Sequence, residues 1–172
     1  MRQTAGSTFK EVIYMSNILV AYFSASGVTE GVAKKLSEAT EGDLFEILPV
    51  IPYTSADLDW KNPNSRSSLE MKDADSRPQI AGRVEDITKY DAVFVGFPIW
   101  WYVAPTIINT FLEEYDLADK KVIPFATSGS SGMGKTNEKL APSCPDAILL
   151  EGKRFASDVG ADELKKWAES IL

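Results

Sequence analysis

The stretch Asn17-Ile18-Leu19-Val20-Ala21-Tyr22-Phe23-Ser24-Ala25-Ser26-Gly27-Val28-Thr29-Glu30-Gly31-Val32-Ala33 decides how the rest of the chain is read. Ile18 to Phe23 is an unbroken apolar run of strand length, the pattern of a strand covered on both faces in a parallel sheet. From Val28 the apolar residues Val28, Val32, Leu36 and Ala39 recur at helical spacing and predict an amphipathic helix. The turn between the two is built from small and hydroxyl residues. It places unpaired backbone N–H groups at a helix start, where the helix dipole favours an anion. No Lys or Arg occurs between Asn17 and Ala33, so an anion held here is held by neutral donors. The hydroxyls of Ser24, Ser26 and Thr29 suit either that task or simple capping of the helix.

Downstream, the same alternation repeats. Asp43 to Leu48 predicts a second strand that Pro49 and Pro52 close. Ile80 to Thr88 predicts a helix from Ile80, Val84 and Ile87 on one face, and Ala92 to Phe97 a third strand. Pro105 stands as the first residue of a helix whose buried stripe is Ile107, Ile108, Phe111, Leu112 and Tyr115. Lys121 to Ala126 predicts a fourth strand. Ala147 to Leu150 predicts a fifth that runs on toward Phe155. Leu164, Trp167, Ala168, Ile171 and Leu172 form the stripe of a closing helix. Strands alternating with helices define an open α/β sheet with helices on both faces. Between Tyr53 and Gln79 the chain turns to Ser, Asp, Asn, Pro and charged residues, with a turn or two of helix over 56–60 and 67–72. So long a connection in a compact domain more often serves function. Its aromatics Tyr53 and Trp60 either pack on their own loop or fold over a ligand.

Two later stretches add to the first loop. Gly96-Phe97-Pro98-Ile99-Trp100-Trp101 follows the third strand, and Thr127-Ser128-Gly129-Ser130-Ser131-Gly132 follows the fourth. Ser-x-Ser-Gly-x-Thr after a first strand resembles the FMN phosphate loop of the flavodoxins, and the two later stretches resemble the flavin-ring loops of flavodoxin-like proteins. The resemblance runs from about Asn17 to the C-terminus, with the loops in the family's order. It implies a five-stranded parallel sheet of order 2-1-3-4-5 and FMN as cofactor. Ser24, Ala25, Ser26, Gly27, Val28 and Thr29 would hold the phosphate. Pro98, Ile99, Trp100, Trp101 and Tyr102 would form an apolar shelf for the ring. Thr127, Ser128, Gly129, Ser131 and Gly132 would meet its polar edge, with Gly132 allowing close backbone approach. By the same analogy, peptides near Trp100 and Trp101 would face N5 of the flavin. No residue is assigned a catalytic or metal-binding role.

The chain departs from long-studied flavodoxins in three places. Residues 127–132 hold no aromatic ring to cover the second flavin face. Position 102 is Tyr where relatives often carry Gly. The path from Phe155 to Leu164 leaves no room for the insertion of long-chain flavodoxins, so the short-chain type is expected. A covered face implies a carrier exchanging electrons with redox partner proteins. An open one implies an enzyme passing hydride between a nicotinamide donor and a small acceptor such as a quinone.

Composition bounds the alternatives. With 18 basic and 25 acidic residues the net charge is -7, which argues against nucleic acid as a partner. The chain has no histidine, which removes imidazole triads and His-based zinc sites. Its single cysteine, Cys144, excludes an internal disulfide and reads as an inert thiol. No run approaches the roughly 20 apolar residues of a membrane span, and a cytoplasmic protein is the economical reading. Residues 1–15 read as an N-terminal extension and 16–172 as one domain. Gly129 to Thr136 also fits the nucleotide-binding pattern G-x-x-x-x-G-K-[ST]. Pro142 and Pro145 cut short the helix that pattern requires, which disfavours an ATP or GTP site.

Overall fold

The computed structural model describes residues 17–172, so the expected N-terminal extension lies outside the described residues. Strand β1 (Ile18–Tyr22) is buried along its whole length. Its side chains alternate between two cores, as strand geometry requires. Leu19 and Ala21 point into one core, together with Ile107, Ile108, Phe111 and Leu112 of helix α3 (Thr106–Glu113). Ile18, Val20 and Tyr22 point into the other. There they meet Val32, Ala33 and Leu36 of α1 (Val28–Thr40) and Leu164 and Ala168 of α5 (Ala161–Ile171). The sheet is therefore the middle of three layers. β1 is a continuous apolar run because neither of its faces meets water.

The remaining strands are β2 (Asp43–Glu46), β3 (Leu48–Pro49), β4 (Ile80–Ala81), β5 (Ala92–Pro98), β6 (Lys121–Thr127), β7 (Ile148–Leu149) and β8 (Lys153–Phe155). The main sheet runs β2-β1-β5-β6-β7, with β8 also on β6 and every pairing parallel. Counted by the expected strands this is the order 2-1-3-4-5. The chain leaves β1 in both directions. That reversal opens a crevice at the carboxyl edge, the usual ligand position in such sheets.

The fifth strand comes in two pieces for a reason that lies in β6. The Leu150 N–H donates to the Val122 carbonyl, so Val122 and, two residues on, Pro124 face the fifth strand. Pro124 has no N–H to offer there, and the ladder breaks opposite it. Lys121 pairs Ile148 whereas Phe125 pairs Lys153, a slip of one residue. The insertion is a bulge.

Ile80 to Thr88 is not the expected helix. Ile80–Ala81 instead pairs antiparallel with Leu48–Pro49 as a small separate ribbon. Gly82 then takes φ +76°, and only Ile87–Lys89 turns, as a 3-10 helix. Ile80, Val84 and Ile87 do all pack on the core beside α3. The spacing was a true record of burial but not of backbone conformation. Smaller differences fall at helix starts. Pro105 precedes α3 with ψ 146° as its cap, and Val28 at the head of α1 is exposed. Helix α2 (Arg66–Lys72) lies in the excursion, and α4 (Thr136–Leu140) is only five residues long.

Glu114 ends α3 with one carboxyl oxygen buried and unpaired. Burial holds its pKa above the ordinary carboxylate value, with Arg83 opposing. The native state therefore binds this proton more tightly than the unfolded chain. Stability from it is present at acid pH and is lost as pH rises through the native value. Glu114→Gln removes the charge but keeps the shape, so it should raise stability at pH 7 by up to about 1 kcal/mol and leave it nearly unchanged near pH 4. Denaturant melts at the two pH values check this.

Candidate functional site

Three loops leave the carboxyl edge of the sheet side by side. The first is 23–27, between β1 and α1. Ser24 Oγ accepts the Gly27 N–H at 3.0 Å, and its own O–H is free to donate outward. Gly27 caps α1 at φ +93°, a conformation glycine adopts without strain. The N–H groups of Val28, Thr29 and Glu30 have no acceptor one turn back, as at any helix start. Ser26, Gly27 and Val28 are exposed. Tyr22, just below, has its phenol pushed up to about 12 by burial first and then by the carboxylates of Glu46 and Glu30. Glu30 beside the loop is itself paired with Lys34 at 3.0 Å, and the loop holds no basic residue, so what it offers an anion is dipoles.

Thr29 is not in the mouth of that loop. It is 1% exposed, and its Oγ1 lies 2.7 Å from that of Thr127, also buried. The pair ties the first loop to the third from beneath. The Thr127 carbonyl in turn accepts the Ile99 N–H at 3.0 Å, which ties the third to the second. All three expected loops therefore converge, and Thr127 joins them.

The second loop reverses tightly. Trp100 and Val103 exchange both backbone hydrogen bonds, at 2.9 and 3.1 Å, and the residues between them, Trp101 and Tyr102, have φ +49° and +65°. Positive φ at both central positions is the geometry that closes a two-residue hairpin. Tyr102 thus occupies a conformation suited to Gly, the residue that the family resemblance leads one to expect there. Two bulky side chains held this way store of order 1–2 kcal/mol each, and such strain collects at functional sites. Its effect is to divide the tryptophans. Trp100 turns inward, edge-on to Phe23 at 5.6 Å and to Tyr53 at 5.5 Å, whereas Trp101 and Tyr102 stand out at 44% and 69% exposure.

Tyr53 therefore belongs to the floor of the site. Its hydroxyl donates to Glu70 and the Arg66 guanidinium lies 3.8 Å over its ring, so α2 is locked to the aromatic cluster. Trp60 stays exposed across the opening. Leu58, Trp60 and Ser67 face Ile99, Trp100, Trp101, Tyr102 and Ser131 around a cavity of about 500 Å³.

Two parts of the site were missed in the sequence. Arg154 on β8 donates to Ser128 Oγ and to the carbonyls of Ser128 and Gly129 at 3.1, 2.6 and 2.7 Å, while Ser128 Oγ donates to the Ser131 carbonyl. Only the pairing of Ala126 with Arg154 places that guanidinium beside the loop. Arg154→Met should weaken ligand binding at the third loop at least tenfold, about the worth of one charge-assisted bond. Arg154→Lys should recover only part, because an ammonium cannot make the fork. Equal titration curves for all three proteins would refute this. The second part is Gly134, at φ +53°, where a Cβ would overlap the Tyr102 carbonyl oxygen. A Cβ at Gly129 or Gly132 would meet nothing within 4 Å. Of these three glycines, only Gly134 is approached closely within the chain.

The nucleotide pattern fails in the same place. Tyr102 fills the face of Gly134, and Thr136 is fully buried with its hydroxyl donating to the Met133 carbonyl. Among the described residues no group of carboxylates and cysteine is placed to hold a metal, and no helix is long and apolar enough to cross a membrane.

An open parallel sheet with an anion cradle at the first loop and an apolar shelf between the next two defines a flavodoxin-like protein. The chain belongs to the flavodoxin family, whose model matches residues 17–171. No curated protein matches the chain. Among solved structures it is similar to a protein of Bacteroides eggerthii DSM 20697 assigned as a flavoprotein. The two are 49% identical over 91% of this chain and 98% of that one, with a TM-score of 0.86. A second such protein, from Bacteroides uniformis ATCC 8492, is 44% identical over 90% and 98%, with a TM-score of 0.84. The fold also matches a Lactobacillus acidophilus NCFM flavoprotein solved in complex with FMN, at 22% identity over 89% and 99% and a TM-score of 0.69.

Proposed function

We propose that this protein binds FMN non-covalently at the three-loop edge and works in electron transfer in the cytoplasm. The observation that carries the reading is the junction at Thr127, which joins Thr29 beneath the cradle to Ile99 of the shelf. The residues present fit the group. Ser24, Ser26 and the first N–H groups of α1 offer neutral donors to a phosphate, in a cradle that glycine at φ +93° keeps open. Ile99, Trp101 and Tyr102 offer apolar surface to a planar ring. Ser128, Gly129 and Ser131, braced by Arg154, offer peptide groups to its polar edge. Bound FMN supplies reversible one- and two-electron chemistry, and the protein supplies orientation and electrostatics.

The exposure of Trp60 beside the 500 Å³ cavity favours a second reading. Residues 127–132 put no ring over the site, so a small acceptor reaches it unless Trp60 closes. On that reading the protein is an FMN-dependent oxidoreductase taking hydride from NADH or NADPH and passing it to a quinone or similar acceptor. Otherwise its partners are redox proteins drawn to an acidic surface.

The test is the visible absorption spectrum of the purified protein with and without added FMN, followed by mixing the loaded protein with NADH or NADPH. A flavin band that survives gel filtration supports FMN binding. Rapid loss of nicotinamide absorbance with a quinone present selects the enzyme. A colourless protein that gains no thermal stability from FMN overturns both.

A further inference from the structure

Beside the proposed flavin seat, and sharing Trp60 and Trp101 with it, lies a second recess of about 240 Å³, lined also by Lys61, Pro63, Ser68, Met71 and Lys72. The two spaces therefore adjoin. We propose that this recess binds a single-ring aromatic carboxylate.

Size, shape and charge each contribute. A cavity of about 150 Å³ accepts benzene, so this open recess of about 240 Å³ has room for one aromatic ring with a small acid group. The walls are planar and exposed: Trp60 is 67% and Trp101 44% accessible. Exposed tryptophan faces of this kind take another ring by stacking. The left-handed φ of Trp101 holds its side chain outward at a cost in strain, so its exposure is imposed by the backbone. The chain carries 25 carboxylates against 18 basic residues, yet the charged residues of this lining are both lysines. Lys61 Nζ sits 5.5 Å from the Trp60 ring centre, and Lys72 Nζ is anchored on the Pro63 carbonyl at 2.9 Å. Asp59 lies close by, its carboxylate accepting the Lys61 backbone N–H at 3.1 Å, but neither Lys61 nor Lys72 is held in an ion pair among the described residues. An anion therefore finds two ammonium groups at the rim, and a neutral or cationic ring does not benefit from them.

Calorimetric titration of the full chain with benzoate, with and without FMN, tests the proposal. The expected result is saturable binding in both states that weakens with salt. Cyclohexanecarboxylate, which has the charge but not the ring, and benzyl alcohol, which has the ring but not the charge, should each bind at least about fivefold more weakly. Trp60→Ala should cost about tenfold. Lys61→Gln should cost several-fold and flatten the salt dependence, with the melting temperature unchanged in both variants. In the FMN-loaded protein, benzoate should shift the flavin band, because Trp101 borders both spaces. Equal affinity in Trp60→Ala, equal affinity for either comparator, or release of FMN by benzoate would each overturn the recess as a separate site. Failure to load FMN while benzoate still binds through Trp60 would count against the flavin reading alone.

Discussion

Gly134→Ala is expected to weaken FMN binding by about 10–100-fold and to destabilise the fold by about 2–5 kcal/mol. Two costs combine. A non-glycine residue at φ +53° pays of order 1–2 kcal/mol. The added methyl also overlaps the Tyr102 carbonyl oxygen, and overpacking of this kind typically costs about 1–3 kcal/mol. The clash is backbone against side chain, so no rotamer relieves it. The free protein escapes by letting the Trp101–Tyr102 turn swing away from the third loop. Binding must then bring the turn back, at about 1.4 kcal/mol for each tenfold in affinity. Fluorescence titration with FMN and a denaturant melt measure the two effects. Wild-type values for both would show that the second and third loops are not coupled through this contact.

Trp100→Ala should cost about 2–4 kcal/mol of stability and most of the FMN affinity, whereas its neighbour Trp101→Ala should cost affinity alone. Trp100 sits edge-on to Phe23 and Tyr53. Each such pair contributes about 0.5–1.5 kcal/mol beyond buried area. A fully buried large aromatic cut to Ala loses about 3–5 kcal/mol, and Trp100 is half-buried, hence the lower figure. Tyr53 also carries the link to Arg66 and Glu70, so removing Trp100 loosens the base of α2 as well. Trp101 packs on no such cluster and holds strain that alanine does not increase. Chemical denaturation of the two variants, side by side, separates them. Equal destabilisation would show that the turn does not divide their roles.

Much of this was legible in the chain because it depends on local pattern. The unbroken runs Ile18 to Phe23 and Ala92 to Phe97 announce strands buried on both faces, since only such strands have no polar alternation to keep. The stripe in Ile107, Ile108, Phe111 and Leu112 announces α3 in the same way. Ser24 to Thr29 announce a helix start able to face an anion, because caps and anion sites use the same unpaired N–H groups. Ile80, Val84 and Ile87 mark where local pattern stops deciding conformation. Their spacing reported which residues are buried, and Gly82 at φ +76° made the backbone something other than a helix.

Sequence alone, then, determined the central strands, the helices at 28–40, 106–113 and 161–171, the residues of three loops and the absence of any histidine chemistry. Tertiary structure decided what those loops do to one another. Thr29 and Thr127 are 98 positions apart, and only the β1-β5-β6 order brings their hydroxyls to 2.7 Å. Arg154 reaches Ser128 because a bulge opposite Pro124 shifts the register by one residue. Trp60 borders the same cavities as Trp101 because Tyr53, Arg66 and Glu70 pin the excursion to the sheet edge. Local propensity acts over a turn or two of chain, whereas a site assembled from distant turns is fixed by strand order, register and packing.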